Sequence, residues 1–187
     1  MTVTLGEGKE KVYMLLDEHS TGGTVEHDPD VELKMVRFFD TAQKMLSQIR
    51  KIVKTRRILP EKGKTEYLMP PDFRSVYRIW ADGRAATNRY HWRRGRLIVP
   101  SGDRTGEILV EYYAYPGDIP PDAGDDYEFE IAPDAAECMP FYVAAQHLLP
   151  DLVLDYGVML RMYEQAVRLL GDARPGEELR LSQRLYR

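Results

Sequence analysis

The sequence predicts an α+β fold, with helical ends and a β-rich middle. Three observations predict it. Apolar residues recur at three- and four-residue steps through about Asp28–Lys54. A segment dense in Tyr, Trp and Arg follows, from about Arg57 to Pro116. Two more apolar-periodic stretches fill about Asp134–Leu170. No stretch carries a recognisable catalytic constellation, so the layout points away from an enzyme and toward a small structural building block.

The chain has 187 residues, which suits one domain, 1–187, with an inserted subdomain. Hydrophobic residues make up 43% and charged residues 30%, enough for a core and a solvated surface. The net charge of -4 gives no reason to expect general nucleic-acid affinity, although local basic patches stay open. Cys138 is the only cysteine, so an intramolecular disulfide and a four-cysteine zinc site are both excluded, as in a reducing cytoplasm. The opening MTVTLGEGKEKV lacks the apolar centre of a secretory signal. No window reaches the ~18 apolar residues of a membrane helix. The expectation is a soluble protein with no membrane partner.

Glu7–Glu18 reads as a short helix with Val12, Leu15 and Leu16 on one face, and His19–His27 reads as loop around Gly22-Gly23. Asp28 then suits a helix cap and Pro29 the first helical position. Met35, Phe38, Phe39, Ala42, Met45, Leu46, Ile49 and Val53 form one stripe, and Lys51, Lys54, Arg56 and Arg57 gather at the expected C-terminal end, which places helix over 7–56 with one break. The β-rich insertion spans about 57–131. Thr65–Met69, Ser75–Ala81, Ala85–Trp92, Arg96–Val99 and Glu107–Tyr115 read as strands. Asp82-Gly83, Arg93-Arg94-Gly95 and Ser101–Thr105 read as tight turns, so the strands should pair as an antiparallel meander. A Pro/Gly/Asp connector leads to a last strand, Tyr127–Ile131. Helix returns over 133–171, with Cys138, Tyr142, Ala145, Leu148 and Leu149 inward and Pro140 either kinking it or marking its start. Pro150-Asp151 resets the chain. The last helix carries Leu152, Tyr156, Met159, Leu160, Tyr163, Val167 and Leu170, with Gly171 as C-cap and a polar tail over 172–187.

Tests for chemistry return little. His19, His27, His91 and His147 are far apart, and Asp122, Asp125 and Asp126 lack the spacing of a calcium loop, so no metal site is expected. Leu5–Lys9 is not a phosphate loop, and neither GxGxxG nor GxSxG occurs. Cys138 sits on an apolar face, where a thiol is inert. No catalytic residue and no cofactor is expected. The unusual cluster is Asn88–Arg96, NRYHWRRGR. Its Arg89, Tyr90, Trp92, Arg93, Arg94 and Arg96 suit a subunit or partner interface. A solvated hairpin tip and a nucleic-acid grip through phosphate contacts and base stacking are the other two readings.

The order of pieces resembles the head–tail adaptor (connector) proteins of tailed bacteriophages over about residues 7–171. KVYMLLDEHS followed by DPDVELKMVRFFDTAQKMLSQIRKI is similar to the family's opening. YLMPPDFRSVYRIWADG, NRYHWRRGRLIVP and GEILVEYYAYP are similar to its β insertion. YEFEIAPDAAECMPFYVAAQHLLPD and a helix containing MYEQAVRLL are similar to its close. The resemblance implies a helical bundle of N- and C-terminal helices with an inserted antiparallel sheet or sandwich. It implies a virion structural protein of the capsid–tail neck, assembled in the host cytoplasm, without catalysis. It implies self-association in a closed ring, usually a dodecamer. Its partners would be the portal protein, a tail-side neck protein such as a stopper, and passing double-stranded DNA held non-specifically. Carried onto this chain, Glu177–Arg187 becomes a portal-docking tail, with Leu179, Leu181, Leu185 and Tyr186 as its apolar anchors. The alternatives are a nucleic-acid-binding module using the Arg/Trp hairpin, or another neck protein such as a stopper. Stoppers are β-dominated, and the helical ends here favour the adaptor.

Overall fold

The computed structural model describes residues 2–18, 29–103, 105–148 and 154–172. The predicted cap Asp28, the loop at Gly22-Gly23, Leu149, Pro150-Asp151, Leu152, and the tail with Leu179, Leu181, Leu185 and Tyr186 lie outside the described residues. Helices and antiparallel sheets together make the chain α+β. It divides into two compact units. One comprises Met1–Arg50 with Pro116–Arg187, and the other is Lys51–Tyr115.

The first unit opens with α1 (Leu5–Glu18), two residues earlier than the periodicity predicts. Thr4 and Glu7 explain the start. The Thr4 N–H donates to Glu7 Oε2 at 2.9 Å, and the Glu7 N–H donates to Thr4 Oγ1 at 3.3 Å. This reciprocal capping box satisfies two donors that a helix N-terminus leaves free. Helix α2 (Pro29–Leu46) buries Met35, Val36, Phe39, Ala42, Gln43 and Leu46.

Helix α2 ends well short of the predicted Lys54. The Ser47 hydroxyl donates to the Lys44 carbonyl at 2.7 Å, and the backbone tightens so that the Ile49 N–H donates to the Leu46 carbonyl at 2.9 Å. Such local side-chain bonds compete with helix continuation. Ile49, assigned to the stripe, lies past the helix end and is exposed, and Met45, still inside α2, is exposed as well. Lys54, Arg56 and Arg57 lie on a strand rather than at a helix end, because Ile52, Val53, Thr55 and Ile58 are β-branched and pack on a pleated surface.

Past the insertion, α2 holds the returning chain. Asp40 Oδ1 accepts the Ile119 N–H at 3.0 Å, and the fully buried Gln43 accepts the Glu130 N–H at 2.9 Å. Among the described residues, the predicted strand Tyr127–Ile131 forms one bridge, Thr4 to Glu128. Its partner segment turns into α1 at Leu5, so the ladder has nowhere to extend. Short α3 (Pro133–Ala136) and α4 (Met139–Leu148) replace one continuous helix. Pro140 stands second in α4, where its missing N–H costs nothing. Helix α4 packs against α1, α2 and α5 (Leu154–Asp172). Among the described side chains of α5, Met159, Tyr163, Ala166 and Leu170 are buried, so Ala166 takes the inward position expected of Val167. Gly171 lies inside this helix rather than capping it.

The second unit holds two antiparallel sheets. Strands β1 (Ile52–Ile58), β7 (Ile108–Ala114), β3 (Phe73–Ala81) and β4 (Arg84–Ala85) lie in that order. Strands β2 (Glu66–Leu68), β6 (Arg96–Ile98) and β5 (His91–Arg93) form the other sheet. The pairing is therefore not the expected meander. Strand β7 sits between β1 and β3, and β6 pairs with β2 and β5. Two predicted turns do form hairpins. Asp82-Gly83 and Arg94-Gly95 both have positive φ (48° and 75°, 48° and 71°), as a type I′ turn requires. The third, at Ser101–Thr105, carries the chain from one sheet to the other.

The predicted strand Ala85–Trp92 is interrupted by a 3₁₀ turn at Thr87–Arg89, where Thr87 Oγ1 accepts the Ile79 N–H at 3.1 Å. Inward residues of both sheets, among them Ile79, Leu97, Ile108 and Val110, share one buried cluster.

Candidate functional site

The β5–β6 hairpin places the residues singled out from the sequence, and it divides them. Tyr90 is 3% exposed, so its ring belongs to the core and not to an interface. Its hydroxyl lies 3.2 Å from Thr105 Oγ1, and burial pushes the phenol above its usual range. Arg89 Nη2 donates to Asp103 Oδ1 at 2.7 Å, and the same oxygen accepts from Thr105 Oγ1 at 2.7 Å. Burial pushes the Asp103 carboxyl up. The Thr105 hydroxyl and N–H, with the Arg89 guanidinium, outweigh it and hold the group below the usual carboxylate range. Arg89 and Tyr90 thus fix the crossing between sheets.

Trp92 is half-buried and stacks on Phe73, with ring centroids 5.1 Å apart. Arg93 and Arg96 face each other directly across the hairpin. Glu66 offsets that like-charge pair, since Arg96 Nη1 donates to its Oε2 at 3.0 Å. Glu66, Arg93, Arg94, Arg96 and Ile98 line an open concavity of about 390 Å³. Arg89, Arg93, Arg94 and Arg96 are all exposed; Arg89 and Arg96 are each paired with one carboxylate, and Arg93 and Arg94 have none at ion-pair distance among the described residues.

A second surface escaped the sequence reading. On the outer face of the four-stranded sheet, β7 presents Leu109, Glu111 and Tyr113. Strand β1 sets Val53 beside Tyr113 and Arg57 beside Leu109. Strand β3 sets Arg78 beside Glu111 and Trp80 beside Leu109, with irregular register between Val76 and Arg78. The rings carry cations. Lys51 Nζ lies 4.5 Å from the Tyr113 ring, the Arg78 guanidinium 5.3 Å from both Tyr77 and Trp80, and Arg74 5.6 Å from Tyr115. Trp80 Nε1 donates to Glu111 Oε1 at 3.1 Å. Val53, Tyr77 and Tyr115 stay 49%, 45% and 48% exposed. The signal was the alternation in EILVEYYAY, whose outward residues meet Arg78 and Trp80 only once β7 is known to lie beside β3.

Charge is segregated between the units. Fourteen of the 26 Lys and Arg fall in Lys51–Tyr115, against seven of the 30 Asp and Glu. Whole-chain charge averages this away. All seven of those carboxylates are engaged within the unit. Glu61 pairs with Lys64, Glu66 with Arg96, Asp72 with Lys54, Asp103 with Arg89 and Glu107 with Arg57. Asp82 accepts the Gly106 and Glu107 N–H groups, and Glu111 accepts from Trp80. Among the described residues, Lys51, Arg56, Arg74, Arg78, Arg93 and Arg94 have no carboxylate at ion-pair distance.

Reactive groups are sparse. Cys138 is fully buried, and its thiol is pushed up to about 12 by burial and then by Asp134 and Glu137. Among the described residues no three His, Cys, Asp or Glu converge as metal ligands, and no helix is long and apolar enough to cross a membrane. No protein-family model and no curated protein matches the chain.

Proposed function

We propose that this chain is a head–tail adaptor, a non-enzymatic virion subunit that joins the portal of a phage capsid to the tail and lets DNA pass. The observation that carries the reading is the placement of the β unit as one excursion between α2 and α3, with helices before and after it. That order is the one by which the sequence resembles the family. In this reading the terminal helices form a bundle and the inserted sheets a sandwich. Copies close into a ring, a dodecamer by the resemblance. The portal lies on one side and a stopper on the other, and the Glu177–Arg187 segment docks into the portal. Ring subunits meet through heterologous interfaces that close by rotation.

The test is native mass spectrometry of the purified protein, alone and mixed with the portal protein from the same genome. A closed oligomer, or a ring assembled on the portal, supports the reading. Failure to associate with the portal, with the tail intact, removes it.

A second reading is favoured by the cation excess of the inserted unit. There the chain is a nucleic-acid-binding module that grips phosphates with Arg93, Arg94 and Arg96. Such binding weakens steeply with salt. Arg93→Glu with Arg94→Glu would abolish it without unfolding the hairpin, whereas absence of DNA binding to wild type at low salt ends this reading.

A further inference from the structure

We propose that the outer face of the four-stranded sheet docks a second copy of this chain through that copy's acidic connector, residues 116–131. The inference rests on the ring reading above and names the two surfaces that would meet.

The face calls for an anionic partner. Lys51, Arg74 and Arg78 lie on aromatic rings and have no carboxylate partner among the described residues, while the carboxylates of the same unit are already engaged. The face also calls for a protein rather than a nucleic acid. Glu111 stands in the middle of it, fixed by Trp80 and opposite Arg78, where it would repel a phosphate backbone. The rings that bases would stack on already carry the protein's own cations. Exposed Tyr beside Arg is instead the chemistry of a protein interface.

The chain supplies the complement itself. Residues 116–131 hold six exposed carboxylates and no Lys or Arg; Asp118 and Asp125 already pair with Lys44 and Lys9, while Asp122, Asp126 and Glu128 have no cation at ion-pair distance among the described residues. The segment is held in shape before any partner arrives. Asp40 and Gln43 fix Ile119 and Glu130, and the Gly6 N–H donates to the Asp125 carbonyl at 2.9 Å. A preformed acidic segment loses little conformational entropy on binding. Two different surfaces can meet head to tail, the heterologous arrangement that the ring reading requires.

The test is a charge swap read by sedimentation of the full chain. One variant carries Lys51→Glu and Arg78→Glu, and the other carries Asp122→Lys and Asp126→Lys. Wild type is expected to self-associate more weakly as salt rises. Each variant alone is expected to lose about tenfold or more in association constant, and an equimolar mixture is expected to recover it. Circular dichroism of each variant establishes that it is folded. Variants that associate like wild type, or a mixture that does not recover, would overturn the proposal. If such variants still form rings on the portal, the adaptor reading stands and only the surfaces are wrong. Wild type that stays monomeric up to its solubility limit at low salt also overturns it. So does a duplex DNA probe that binds this face in place of the second copy.

Discussion

The buried ring of Phe39 lies against Gly8, where an added Cβ would stand 3.0 Å from Phe39 Cζ. Phe129 backs the same ring, with centroids 5.4 Å apart, so the ring has nowhere to retreat. Alanine at Gly8 gains about 1 kcal/mol of helix propensity. Overpacking costs about 1–3 kcal/mol. Gly8→Ala is therefore expected to destabilise the protein by about 1 kcal/mol. In a Phe39→Leu background the sign should reverse. A denaturant double-mutant cycle reads the coupling, and additive effects would contradict the contact. Phe39→Ala alone should cost roughly 3–5 kcal/mol.

Arg50 and Asp134 form an ion pair at 2.6 Å, with side chains 15% and 7% exposed. Removing one partner strands a buried charge. Arg50→Met should cost about 3–5 kcal/mol, and the Arg50→Met, Asp134→Leu double variant should cost less than either of its component single changes. Urea unfolding of the four proteins gives the comparison. A double variant worse than both singles would mean the pair is more than mutually compensating.

Asp103 sets a pH dependence. Its folded carboxyl lies below the usual range, so it adds stability above the unfolded value of about 3.9. That contribution is lost as pH falls through the lower folded value. Asp103→Asn should therefore lower the urea midpoint at neutral pH and make little difference in strong acid. An undiminished gap at low pH would assign the effect to hydrogen-bond geometry rather than charge.

Cys138 should be silent toward thiol reagents. With the side chain fully buried and the thiol pushed up to about 12, almost no thiolate exists at mildly alkaline pH. Labelling by a disulfide reagent is expected only at the rate of unfolding. Rapid labelling of native protein would show that α3 and α4 separate readily around it.

Local chemistry was the legible part of this sequence. The stripes of α2 and α5 and the Asp82-Gly83 and Arg94-Gly95 turns follow from spacing and backbone preference alone. What was not legible depends on partners distant in sequence. The apolar period through Ile49 and Val53 fits a helix as well as a strand edge, and only the Ser47 side chain and the β7 ladder decide. Tyr127–Ile131 alternates like a strand but finds one bridge. Tyr90 reads as an interface aromatic until Thr105, far along the chain, takes its hydroxyl. The cation-covered sheet face exists only because β7 lies between β1 and β3.

That strand order has a consequence for the history of the chain. Ile52 and Ala114 are register partners on neighbouring antiparallel strands, so the β unit enters and leaves through adjacent positions of one ladder. An element with such a narrow stem can be lengthened, shortened or exchanged between genomes while α1, α2, α4 and α5 keep their sequence. The helices can evolve slowly as a chassis, and the insert can diverge with whatever neighbour it meets.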